Sequence, residues 1–86
     1  MSQQVEECIK EAAEGFADIP DDFSDMGIKD SIPESQDWDQ FNTRLCQALK
    51  EKGCRMLESQ LDRHWKNNKT FGEMIHYIDD RCTFNG

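Results

Sequence analysis

Apolar residues recur along this chain at the spacing of one helix face rather than in strand-like alternation. Val5, Cys8, Ile9, Ala12, Ala13 and Phe16 form a first stripe, with Glu6, Glu7, Lys10, Glu11 and Glu14 between them, predicting an amphipathic helix over 3–16 with Ser2 as its N-cap. From Ala17 to Ser31 the periodicity breaks around Pro20 and Gly27. Ile19, Phe23, Met26 and Ile28 still need burial, so a long ordered loop is expected there. Ser31, Ile32, Pro33 and Glu34 read as a capping box opening a second helix near residue 32 or, on another count, near 37. Trp38, Phe41, Leu45, Ala48 and Leu49 make its stripe, and Gly53 stops it. Leu57, Leu61 and Trp65, with Cys54 and Met56, predict a third helix closed by Asn67 and Asn68. Thr70 and Glu73 form another capping box, ahead of a last stripe of Phe71, Met74, Ile75, Ile78 and Cys82. The pattern therefore predicts an all-α fold, a small four-helix bundle with a long loop between helices one and two, in a single domain spanning 1–86.

Composition narrows what such a domain can do. Its 86 residues can form one small core, with little room for a buried active site, so a carrier, adaptor or inhibitor fits better than an enzyme. Acidic residues outnumber basic ones 18 to 10. Such a surface repels phosphate backbones and anionic membranes and favours basic protein partners, so nucleic acid is not expected. The charge is also uneven: residues 1–40 carry a balance of −10 and residues 41–86 a balance of +2. No apolar run approaches the roughly 20 residues that span a bilayer, and the first residues lack the pattern of a signal peptide, so a cytoplasmic monomer is expected. Of Cys8, Cys46, Cys54 and Cys82, three lie on apolar helix positions and read as reduced core thiols.

The candidate chemistry centres on Ser31. Asp25, Met26 and Gly27, followed by Asp30, Ser31 and Ile32, and the later run from Lys69 to Ile78 resemble the acyl carrier protein family, in its Asp-Leu-Gly and Asp-Ser-Leu elements and in its last helix. The resemblance implies a four-helix carrier in which a phosphopantetheinyl transferase attaches 4'-phosphopantetheine to Ser31, flanked by Asp30 and Ile32. Acyl groups of lipid or polyketide biosynthesis would then ride as thioesters on that arm, handed between acyl-processing enzymes, while the carrier itself catalyses nothing. In that role Ser31 Oγ would stand exposed at a helix start, beside a cleft between helices two and three, where free backbone N–H groups can stabilise a phosphodiester. From its residues alone Ser31 is equally an ordinary N-cap, and an ungapped count from Phe16 brings Asp37 and Trp38 to the family's Ser-Leu position.

The alternative function is a non-catalytic interaction module, of immunity or adaptor type or a carrier-fold relative without the prosthetic group. Its acidic 18–39 region, with Asp25, Glu34, Asp37 and Asp39 as partner-binding residues, would meet a basic protein surface. Other chemistries are weaker. Asp22, Ser24 and Gly27 begin like a calcium loop, but Met26 falls where an oxygen ligand belongs and Pro33 where the bidentate Glu should be. No zinc spacing exists, and His64 and His76 stand singly on helices. Arg63, His64, Trp65 and Lys66 mix cations with an aromatic ring, but on this acidic chain they read as the wet edge of a helix.

Overall fold

The computed structural model describes residues 3–15, 19 and 22–82. Among them the fold is all-α: α1 spans Gln3–Ala13, α2 Ile28–Ser31, α3 Ser35–Glu51, α4 Glu58–Lys66 and α5 Phe71–Arg81, with a 3-10 turn at Phe23–Asp25. Five helices thus replace the expected four, because a one-turn helix occupies the loop before α3. Ser2 and Phe16 lie outside the described residues.

Among the described residues α1, α3 and α5 bury the stripes their spacing predicts, with Ala48 and Cys82 partly buried at the edge. Val5, Cys8, Ile9, Ala12 and Ala13 of α1 meet Trp38, Phe41, Leu45 and Leu49 of α3 in one core, and Phe71, Met74, Ile75 and Ile78 of α5 complete it. Aromatic rings run through its centre. Trp65 lies nearly parallel to Trp38 at 6.0 Å between centroids, and Trp38 stacks on Phe41 at 5.6 Å. Phe41 and Phe71 pack edge to face at 6.5 Å, and Phe71 and Phe23 likewise at 5.4 Å. The five rings join α4, α3, α5 and the 3-10 turn, each contact adding about 0.5–1.5 kcal/mol beyond area burial.

The helix stops follow from backbone chemistry. Gly53 adopts φ 90°, which lets its N–H reach Lys50 O while Cys54 N–H reaches Leu49 O, so the last carbonyls of α3 are satisfied. Asn68, at φ 50°, repeats the arrangement after α4, with its own N–H on Trp65 O and Lys69 N–H on His64 O. Thr70 caps α5 as predicted: its hydroxyl accepts from Glu73 N–H, and the Glu73 carboxylate accepts from Thr70 N–H. That backbone bond holds the Glu73 carboxyl below its ordinary value.

The loop before α3 is fastened to the entrance of α5. Ile28 N–H donates to Lys69 O and Phe71 N–H to Met26 O, an isolated antiparallel bridge between Gly27 and Thr70. One step into α5, Gly72 is needed for close approach, since a Cβ there would stand 2.9 Å from the Ser24 carbonyl oxygen.

Two expectations are corrected. Leu57 does not share the buried stripe of its helix; it precedes α4 and is 66 % exposed. The cysteines are not all reduced: Cys54 and Cys82 form a disulfide with Cα atoms 5.4 Å apart, while Cys8 and Cys46 are free. This bond ties the end of α5 to the connection between α3 and α4, closing a loop of 28 residues. Loop closure of that length stabilises by about 2–4 kcal/mol. Reduction of the intact protein is therefore expected to lower its unfolding free energy in urea by about that amount, and an unchanged midpoint would show that the bond does not constrain the unfolded chain.

Candidate functional site

Ser31 ends α2 instead of opening α3. Its N–H donates to Gly27 O at 3.2 Å and Ile32 N–H to Ile28 O at 2.9 Å, closing a single turn whose four residues expose Lys29 and Asp30 and bury Ile28. The expected capping box fails for a steric reason. With Ser31 as N-cap, Ile32 would have to be helical, but a residue preceding proline is pushed to extended backbone. Ile32 accordingly sits at φ −128° and ψ 77°, fully inside the core, and its carbonyl accepts the Trp65 indole N–H at 2.6 Å. The N-cap of α3 is Glu34, which uses no side-chain bond.

The Ser31 hydroxyl is buried and has no hydrogen-bond partner. It is neither a cap nor an exposed group beside a cleft. Asp30 is exposed beside it and Ile32 is buried, so the three residues Asp30, Ser31 and Ile32 do not form one accessible surface.

The acidic residues are placed differently. Asp25 is exposed at the end of the 3-10 turn, Glu34 at the N-cap of α3 and Asp39 on its second turn, with Asp37 half-exposed on the first. Asp22 and Asp30 are exposed on the same segment. None of these six carboxylates has a cationic partner among the described residues. The one cation of the segment, Lys29, holds its ammonium over the Trp65 ring at 5.0 Å from the centroid. The salt bridges among the described residues lie elsewhere, between Lys52 and Glu7 at 3.9 Å and between Lys66 and Asp62 at 3.0 Å.

Behind this segment a polar seam fixes α3 against α4. The Trp38 indole N–H donates to Asp62 Oδ1 at 2.9 Å, and buried Asn42 donates to Glu58 O at 2.9 Å. Thr43 Oγ1 donates at 2.8 Å to the Glu58 carboxylate, with Asp39 O also within 3.0 Å of the hydroxyl. Lys66, helped by the Trp38 N–H, holds the Asp62 carboxyl below its ordinary value.

A second cluster went unread in the sequence. His64 and Tyr77 pack edge to face at 4.8 Å between centroids, and the Arg81 guanidinium lies over the Tyr77 ring, 3.9 Å from its centroid. Burial pushes the His64 pKa down, so the ring is neutral at pH 7, with Nδ1 3.2 Å from Gln60 O. His64 and Tyr77 come together only because α4 and α5 pack, and their sequence positions carry no joint signal.

Among the described residues no group of three or more His, Cys, Asp and Glu side chains could hold a metal ion, and no helix is long and apolar enough to cross a membrane. The chain matches no family model, no curated protein and no solved structure.

Alanine at Ser31 separates a cap from a stranded hydroxyl. Removing an unpaired buried hydroxyl should leave stability unchanged or raise it by up to about 1 kcal/mol, whereas Thr70→Ala should cost about 1 kcal/mol. A loss at Ser31 equal to that at Thr70, in the same urea titration, would contradict the unpartnered geometry.

Proposed function

We propose that this protein is a non-catalytic interaction module whose acidic segment, residues 22–39, docks on a basic protein surface. The observation that carries the reading is the set of six unpaired carboxylates on this segment, Asp22, Asp25, Asp30, Glu34, Asp37 and Asp39. Asp62, by contrast, is paired across a helix turn with Lys66. A contiguous unpaired set instead projects one sign of potential and steers a partner of the opposite sign into register. The bridge to α5 and the Trp65 bond to Ile32 O hold this segment in place, so docking would cost little ordering entropy.

The carrier reading, with 4'-phosphopantetheine on Ser31, is less well served by this geometry. A transferase would have to bring the buried hydroxyl to the surface. The Cys54–Cys82 bond favours an oxidising compartment, where disulfides persist, over the cytoplasm.

The two readings have separate readouts. Intact mass after incubation with a broad-specificity phosphopantetheinyl transferase and coenzyme A should show no adduct, and an adduct lost in Ser31→Ala would establish the carrier instead. For the docking face, a labelled oligolysine peptide should bind with strong salt dependence. Neutralising Asp25, Glu34, Asp37 and Asp39 to their amides should weaken it about tenfold, well beyond the effect of neutralising Glu6, Glu7, Glu11 and Glu14. Equal losses from the two variants, which carry the same net charge, would mean that the peptide senses only overall charge.

A further inference from the structure

Away from the acidic segment, the structure has a groove of about 380 Å³ between α3 and the stretch that leads into α4. Thr43, Cys46 and Lys50 line one wall, and Arg55, Leu57 and Glu58 the other. Three features set it apart from ordinary surface. Leu57, at 66 %, is the one large hydrophobic side chain left exposed among the described residues. Lys50 and Arg55 are exposed cations with no carboxylate partner among the described residues, on a chain of net charge −8. The backbone N–H and C=O of Arg55 also make no hydrogen bond among the described residues, in a stretch that reaches Leu57 in extended conformation at φ −88° and ψ 142°.

We propose that this groove binds a short extended peptide segment of a partner protein, one that presents an apolar side chain flanked by carboxylates. The occupant follows from the walls. Leu57 and the half-buried Cys46 offer apolar contact, the free backbone groups of Arg55 suit pairing with an extended chain, and Lys50 and Arg55 complement acidic side chains. Orientation follows too. The Glu58 carboxylate is engaged by Thr43 Oγ1 and repels acids at its end, so the ligand's carboxylates lie toward Lys50 and Arg55. Burial, then the charge of Glu58, pushes the Cys46 thiol up to about 11, so it is protonated and adds surface rather than a nucleophile. This groove shares no residue with the 22–39 segment, and its occupant has the opposite charge to a partner of that segment.

The probe is an acetylated, amidated pentapeptide of alternating Glu and Leu, titrated into the full-length oxidised protein and followed by backbone amide NMR. Shift changes should cluster at Thr43, Cys46, Lys50 and residues 54–58. The exposed-site variants K50E/R55E and L57S should keep the circular dichroism of the parent, and K50E/R55E should weaken binding by about fivefold or more. A peptide with Lys in place of Glu should not bind. Absence of shifts at millimolar peptide, shifts mapping to residues 22–39, unchanged affinity in K50E/R55E, or concentration-dependent shifts without peptide would each overturn the proposal.

Discussion

The constraint on which the structure turns is the burial of Trp38 with its indole N–H satisfied. The side chain has no exposed surface, and a tryptophan can be enclosed in this way only if its one donor finds an acceptor. Asp62 supplies it from α4, which sets the rotation of α4 relative to α3. That rotation in turn lays Trp65 flat against Trp38, and the Trp65 donor then reaches back to the Ile32 carbonyl at the end of α2. Two indoles thus fasten three helices, and both rest on the line of rings that continues through Phe41 and Phe71 to Phe23.

The same constraint decides which groups face water. With Ile28, Ile32 and Trp38 drawn inward, the residues between and around them, Asp25, Asp30, Glu34, Asp37 and Asp39, can only point outward. Asn42 and Thr43 clamp the first turn of α4, so the short stretch from Cys54 to Leu57 links the two helices, alternating buried Cys54 and Met56 with exposed Arg55 and Leu57. One wall of the apolar groove is made by that crossing. The acidic segment and the groove are in this sense two results of one packing arrangement.

Much of this was legible in the sequence, because it is local. The stripes of α1, α3 and α5, the Thr70–Glu73 capping box, and the Gly53 and Asn68 stops depend on residues within a few positions of each other, and each lies where its pattern places it. The failure at Ser31 was also local. Ser31 to Glu34 satisfies the capping pattern by residue type, but the effect of Pro33 on Ile32 overrides it, and weighing that steric rule would have moved the helix start past Ile32; the helix begins at Ser35. Other features were not legible at all. The pairing of Cys54 with Cys82, the encounter of His64 with Tyr77 and the exposure of Leu57 depend on how α3, α4 and α5 pack, and no spacing within a helix encodes it. A serine in a family-like Asp-Ser-Ile setting can likewise have its hydroxyl buried, because the motif specifies neighbours in sequence and not access to solvent.

A double-mutant cycle on Trp38→Phe and Asp62→Ala tests the organising interaction most directly. Phenylalanine keeps an aromatic ring in the stack but removes the donor, and comparison with the Asp62→Ala background cancels the separate Lys66 pair. Equilibrium unfolding of the four proteins should give a coupling of about 1 kcal/mol or more between the two sites. Strict additivity would contradict the account, since the orientation of α4 on α3 would then owe nothing to the bond between Trp38 and Asp62.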